Sequence, residues 1–171
     1  MYRIVFRSTL DVPWTQIEPV RLGYCPTGRR AADCFVTVEL NDRPLLRIDL
    51  FRSDEECFAF QHGCIWAGWA AIGWGHHVYL VRLKTRQVSD LDLGGYFGHM
   101  YPTSEHLLIA SAESLFCMAL DGSLLWRSEP LGIDGVVVDE VKGGVIHGQG
   151  EWDPPGGWQP FSISIQTGKA M

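Results

Sequence analysis

The sequence predicts a single all-β domain with very little helix. Apolar and polar residues alternate in four short segments, residues 2–6, 36–40, 78–83 and 161–165, and a period of two residues is typical of strands. Asp121-Gly122 separates two apolar runs, which is a strong hairpin signal because glycine readily adopts positive φ. The length of 171 residues, with 46% hydrophobic and 20% charged residues, fits one globular domain.

The chain also repeats a strand–turn–strand unit. Residues 72–83 align without a gap with residues 109–120, and each segment then turns into another apolar run. The turns are residues 84–87 and 121–123. A third copy covers residues 161–165 with a turn at 166–169, and a weaker fourth covers residues 36–40 with a turn at 41–43. Internal repeats of this kind predict several similar sheets along the chain.

The repeat spacing connects this pattern to a known architecture. If Leu40, Leu83, Leu120 and Ile165 are equivalent, their spacings are 43, 37 and 45 residues, close to the roughly 40–45 residues of a four-stranded blade. The pattern of an apolar strand, an Asp-Gly or Thr-Gly turn and a Leu-Leu-Trp strand resembles WD-type and quinoprotein-like β-propellers over residues 36–168. The resemblance implies a small propeller-like array of about four antiparallel sheets. An open β-meander or a two-sheet sandwich is the alternative.

The stretch from residue 94 to residue 158 is also similar to small uncharacterised bacterial proteins, which implies no activity. The Trp-Asp dipeptide of WD repeats occurs only at residues 152–153, outside the expected strand end.

The two ends of the chain suggest how the array closes. The last copy stops just after its turn, and residues 2–6 alternate like a strand without an obvious partner. Pairing residues 2–6 with residues 161–165 would remove two exposed strand edges, so we expect this pairing to close a ring. The best helix signal is the capping pattern of Ser53 and Glu56, which opens about two turns at most.

Composition excludes several classes of protein. The first residues lack an apolar secretory core and no apolar run reaches membrane-spanning length, so we expect a cytoplasmic protein with no membrane partner. The five cysteines contain no Cys-x-x-Cys pair and are expected to be reduced and mostly buried; they are Cys25, Cys34, Cys57, Cys64 and Cys117.

The net charge of −6 is unevenly distributed. Residues 53–171 carry six basic and fourteen acidic side chains, and no basic stripe is present. This pattern disfavours nucleic acid as a partner and favours a basic protein partner through electrostatic steering.

The candidate site lies in loops rich in glycine, proline and aromatic residues. The nucleophile-elbow, phosphate-loop and zinc-helix motifs are absent, which disfavours an enzyme. In a four-stranded blade, the loop between strands two and three and the loop that leaves strand four emerge at the same end. The candidate binding residues gathered there are Tyr96, His99, Tyr101, Asp134, His147, Glu151, Trp152, Asp153 and Trp158. We expect Trp66, Trp69, Trp74 and Trp126 to be core residues instead.

These observations favour a non-enzymatic module that binds a macromolecular partner through one loop face. A specific version is an immunity-type protein that covers a basic toxin surface. The alternatives are a small-ligand or metal-binding protein, with possible ligands His76, His99, His147, Glu151 and Asp153, or a hydrolase with an unrecognised site. Glu151 and Asp153 are a poor acid/base pair, because residues two apart on an extended segment point to opposite sides. The sequence contains no motif that assigns a cofactor or a metal site.

Overall fold

The computed structural model describes residues 1–24 and 31–171. In these residues the chain forms fifteen strands in four sheets, and a single 3-10 turn at Trp14–Gln16 is the one helical element. The all-β prediction is confirmed. No helix in the described part of the chain is long and apolar enough to cross a membrane.

The short helix expected after Ser53 is not formed. The hydroxyl oxygen of Ser53 accepts the N–H of Glu55 at 3.2 Å and its carbonyl accepts the N–H of Glu56 at 3.4 Å, so the segment is a turn. The aromatic ring of Phe58 then packs edge-on against Trp74 at 5.0 Å between centroids, which directs the chain into the next strand.

The second and third sheets are regular antiparallel meanders and contain the strongest repeat. The second sheet has the strands β5 Gln61–Trp66, β6 Trp69–Trp74, β7 His77–Arg82 and β8 Val88–Asp92. The third has β9 Phe97–Pro102, β10 His106–Ser111, β11 Leu115–Ala119 and β12 Leu124–Arg127. Residues 72–83 and 109–120 therefore form equivalent hairpins, as predicted. The Asp121-Gly122 turn is also confirmed, because the N–H of Gly122 donates to the carbonyl of Ala119 and Gly122 has a φ of +89°.

The fourth sheet has three strands, β13 Val136–Lys142, β14 Val145–Glu151 and β15 Trp158–Ser164. The third predicted copy lies in β15 and its turn, where Gly168 has a φ of +68°. Beyond that turn, a single antiparallel bridge joins Ile163 to Ala170.

The first sheet departs from the prediction. Its strands are β1 Tyr2–Arg7, β2 Val20–Gly23, β3 Cys34–Leu40 and β4 Arg43–Phe51, in the spatial order β1-β3-β4-β2 with β2 parallel to β4. Residues 36–40 therefore lie in the second strand of their sheet, whereas the other three copies lie in third strands. The fourth copy was assigned to the wrong position.

The expected pairing of residues 2–6 with residues 161–165 is wrong. Strand β1 pairs with β3, with Tyr2 opposite Leu40 and Arg7 opposite Phe35. Arg3 forms an ion pair of 2.6 Å with Glu39 on one face. On the other face Ile4 lies so close to Gly63 that a Cβ there would be 2.8 Å from the Ile4 Cδ1. Both contacts hold β1 in the first sheet.

Three apolar cores fill the spaces between consecutive sheets. Four buried tryptophans belong to these cores, and each donates its indole N–H to a backbone carbonyl in the neighbouring sheet or its adjoining loop. The pairs are Trp74 with Phe51, Trp66 with Thr103, Trp69 with Leu120 and Trp126 with Ile165, at 2.8–3.1 Å. The prediction that these tryptophans are core residues is confirmed.

No core cluster of the described residues joins the first sheet to the fourth. The face of the fourth sheet that points away from the third carries mainly polar side chains, among them His147, Gln149 and Ser162. The outer face of the first sheet carries ion pairs, and Trp14 covers part of it beneath Arg7. Neither face offers the apolar surface that a fourth core would require.

Candidate functional site

A cavity of about 400 Å³ opens beside the first strands of the third and fourth sheets. Six of the nine predicted site residues line it: Tyr96, His99, Tyr101, Asp134, Glu151 and Trp158. These residues come from segments up to 62 positions apart in the sequence. The fold therefore brings most of the predicted site together.

Glycines allow the loop of residues 128–135 to dock on the end of β14. The carbonyl of Glu151 accepts the N–H of Ile133 at 2.7 Å, and the N–H of Glu151 donates to the carbonyl of Gly135 at 2.9 Å. A Cβ on Gly150 would lie 1.7 Å from the carbonyl oxygen of Leu131, a distance no side chain tolerates. This close backbone contact fixes Asp134 at the rim of the cavity.

Tyr96 connects two walls of the cavity. Its hydroxyl donates to the carbonyl of Asp134 at 2.7 Å and lies 3.2 Å from the Oδ1 of the same residue. Burial raises the pKa of Tyr96 to about 12, and the nearby charges of Asp134 and Glu151 add to the shift. Tyr96 therefore stays a neutral donor, and both carboxylates are close enough to act on it.

Glu151 and Trp158 form the part of the cavity wall that β14 and β15 contribute. They are directly opposite each other in the pairing of β14 with β15. The Oε1 of Glu151 accepts the N–H of Gly156 at 2.6 Å, which ties the side chain to its own turn. A Cβ on Gly135 would lie 3.0 Å from the Trp158 ring and 3.8 Å from the Oε2 of Glu151, so Gly135 leaves room beside both groups.

Tyr101 and two histidines lie on the first strands of their sheets. The hydroxyl of Tyr101 accepts the N–H of Val138 at 3.1 Å, which joins β9 to β13. His99 packs against Tyr101 at 4.9 Å and stacks on His62 at 4.5 Å between ring centroids. Burial lowers the pKa of His62, and His99 lowers it further. His62 is therefore favoured in its neutral form.

Three predicted residues lie elsewhere. The Nδ1 of His147 is 2.9 Å from the hydroxyl of Ser162, on the open face of the fourth sheet. Trp152 and Asp153 are exposed in the turn of residues 152–157 and do not line the cavity. Trp152 and Trp158 are each 40% exposed, so neither ring plugs the interior of the protein.

The residues that sequence reasoning missed include Phe60, Ser111 and Val137. Phe60 lies in the connection from the first sheet to the second, and Tyr96 and Asp134 lie in the corresponding connections between the later sheets. The sequence pattern does not identify Phe60, because it predicts the wrong position for residues 36–40 in the first sheet. Val137 belongs to β13, a strand that the sequence analysis does not predict. Burial alternates between Val136, Val137 and Val138 in that strand.

The described residues contain no group of three or more His, Cys, Asp or Glu side chains arranged to hold a metal ion. The histidines proposed as ligands have other contacts: the Nε2 of His76 accepts the N–H of Cys57 at 3.1 Å, and His147 contacts Ser162. The cysteines of the described residues, Cys34, Cys57, Cys64 and Cys117, are free. Cys25 lies outside the described residues.

The chain matches no protein-family model, and no curated protein is similar to it in sequence. Its geometry is therefore the basis for assigning a function.

Proposed function

We propose that the protein is a non-enzymatic interaction module built as a propeller-like array that is open between its first and fourth sheets. The order of the contacts between sheets supports this architecture. Strand β5 contacts both β1 and β9, and β9 also contacts β13, so the first strands of the four sheets line one edge of the array. The regular meanders of the second and third sheets support it further.

The binding surface in this proposal is the loop face, which consists of residues 52–60, 93–96 and 128–135 together with Glu151 and Trp158. The observation that carries the proposal is the half-open cavity, because every one of these loops contributes a lining residue or is flanked by one. Rigid scaffolds commonly place binding residues on such loops. Trp158 and Tyr96 combine a large apolar area with a polar group, as interface anchors do.

The expected partner is a basic protein. Asp134 and Glu151 line the cavity, and residues 53–171 carry eight more acidic than basic side chains. Such a surface attracts a positively charged partner and speeds its association. An immunity-type protein that neutralises a basic toxin is one example of this arrangement.

A small-ligand protein is the second candidate, and the cavity volume favours it. About 400 Å³ lies within the range of roughly 300–1,000 Å³ that is usual for small-molecule sites. The two candidates differ in what the native protein retains during purification, either a second chain or a low-molecular-weight compound.

Capture of the partner from the native host tests the proposal. Wild-type protein is compared with a loop-face variant, Glu151→Ala with Trp158→Ala, and with a control variant, Leu124→Ala with Leu125→Ala, whose exposed side chains lie on β12. We expect the loop-face variant to lose a specific protein that the control retains, while both keep their unfolding midpoints. Equal capture by all three proteins contradicts the proposal.

A further inference from the structure

We propose that the cavity binds the guanidinium group of an arginine side chain that the partner protein presents. This inference rests on the proposed function and specifies the chemistry at the centre of the loop face.

The first argument is the charge of the cavity. Two carboxylates line it, and none of the described lining residues is a lysine or an arginine. The hydrogen bonds described for Asp134 and Glu151 each use a single carboxylate oxygen, from Tyr96 and Gly156 respectively. Each carboxylate therefore retains acceptor capacity for a further donor. A cation supplies that donor and is attracted by both carboxylates, whereas an anion would be repelled.

The second argument is the aromatic lining. Phe60, Tyr96, Tyr101 and Trp158 all border the cavity, and the rings of Phe60 and Tyr96 are 6.1 Å apart between centroids with a tilt of 41°. The faces of such rings attract cations through their quadrupole. Aromatic rings next to carboxylates thus form a site that favours an organic cation over a neutral apolar group.

The third argument selects arginine over lysine. A guanidinium group is planar, so it can stack on a ring while its fork of five donors reaches two carboxylates. A lysine ammonium is a compact, strongly hydrated charge without a planar face, so it is less suited to stack on a ring while it bridges two carboxylates. The two carboxylates of this cavity belong to adjoining segments, because the loop that carries Asp134 is hydrogen-bonded to the backbone of Glu151 at the end of β14. A forked donor suits two carboxylates that adjoining segments present to one cavity.

Titration with short peptides tests the inference directly. The probes are four capped pentapeptides that differ only at the central residue, which is arginine, citrulline, lysine or alanine. Binding is followed by calorimetry and by tryptophan fluorescence. We expect the arginine peptide to bind at least about tenfold more tightly than the citrulline and lysine peptides. Equal affinity for arginine and citrulline would overturn the role of charge, and equal affinity for arginine and lysine would overturn the choice of guanidinium.

Matched variants locate the site. Glu151→Gln keeps the acceptor for Gly156 but removes the charge, whereas Asp153→Asn removes a neighbouring charge outside the cavity. Trp158→Ala removes a lining ring, whereas Trp152→Ala removes an equally exposed ring that does not line it. We expect Glu151→Gln and Trp158→Ala to weaken the arginine peptide about tenfold, and the two controls to bind like the wild type. An equal loss in a control contradicts the site.

The two proposals fail in different ways. If the loop-face variant loses the native partner but no arginine peptide binds the wild type, the arginine site is wrong and the interaction module stands. If the arginine peptide binds in the cavity but partner capture does not depend on the loop face, the interaction module is wrong.

Discussion

Burial controls the chemistry of the cysteine side chains. Burial raises the pKa of Cys117 to about 12 and that of Cys64 to about 11, whereas Cys57 is exposed. Since the thiolate is the nucleophile, the raised pKa values keep Cys64 and Cys117 in the unreactive thiol form at pH 8. The buried thiols act as small apolar groups of the sheet cores.

We therefore predict that iodoacetamide at pH 8 labels Cys57 well before Cys64 and Cys117 in the folded protein. A Cys25→Ser background removes the cysteine outside the described residues, and peptide mass mapping gives the order of labelling. Labelling in denaturant is the control, where the cysteines should react alike. Rapid labelling of Cys117 in the native protein would show that its strand is not buried as described.

His62 makes stability depend on pH. The unfolded chain binds a proton at the ordinary histidine pKa of 6.5, but burial lowers the pKa of His62 in the folded protein. As the pH falls through 6.5, the unfolded state therefore gains protons that the folded state does not, and the folded state loses stability. Above pH 6.5 the side chain is neutral in both states and imposes no such penalty.

We predict that His62→Gln reduces the loss of stability between pH 8 and pH 5. Urea unfolding of the wild type and the variant at pH 8, 7, 6 and 5 measures it. The free energy of unfolding of the wild type should fall relative to that of the variant as the pH decreases. A difference between the two proteins that does not change with pH would exclude this role.

At the scale of the element, the hairpin turns depend on glycines for two separable reasons. Gly122 and Gly144 have similar φ angles, +89° and +81°, which L-residues rarely adopt. A Cβ on Gly122 would also lie 2.7 Å from the Trp69 ring, whereas a Cβ on Gly144 would meet nothing within 4 Å. A side chain at position 122 would therefore meet both backbone strain and a clash with Trp69, whereas a side chain at position 144 would meet backbone strain alone.

We predict that Gly122→Ala costs more stability than Gly144→Ala. Backbone strain should cost each variant about 1–2 kcal/mol, and the contact with Trp69 should add to the loss at Gly122 alone. Gly122→Val, with a larger branched side chain, should be worse still. Chemical unfolding of the three variants measures the differences. If the two alanine variants are equally stable, Trp69 moves aside and the packing constraint is wrong.

Elements joined by short turns were predictable from the sequence, and those joined over long distances were not. The hairpins at residues 72–83 and 109–120 follow from local alternation and tight turns. The position of residues 36–40 does not, because a second and a third strand of a sheet have the same alternation. The parallel pairing of β2 with β4 depends on a long connection that carries no local signal.

The site was predictable to the extent that its loops had an unusual composition. Tyr96, Asp134, Glu151 and Trp158 lie in or beside segments rich in glycine and aromatic residues, and the cavity unites them. The sequence predicts one loop from His147 to Trp158, and this is wrong for its first part, because His147 and Glu151 both lie on β14, where residues four apart are well over 10 Å apart. The contact of His147 with Ser162 is therefore unrelated to the cavity.

At the scale of the whole molecule, the four sheets differ in how many of their faces are covered. The second and third sheets each contribute to two of the three cores, whereas the fourth contributes to one. Every residue of β6 is buried, but in β14 buried residues alternate with more exposed ones. The first sheet also contributes to one core alone. The arrangement leaves the fourth sheet more easily opened than the second and third, and Glu151 and Trp158 of the cavity belong to it.

We predict that amide hydrogen exchange is slowest in β6 and β10 and at least about tenfold faster in β14. All three are second strands that pair with a neighbouring strand on both sides. They therefore have the same pattern of hydrogen bonds to neighbouring strands and differ in how far the faces of their sheets are covered. Local opening should therefore require less free energy in the fourth sheet. Mass spectrometry of peptides from the three strands measures the rates. A closed ring of sheets would protect β14 as strongly as β10, and equal rates in the monomer would show that the fourth sheet has a second covered face.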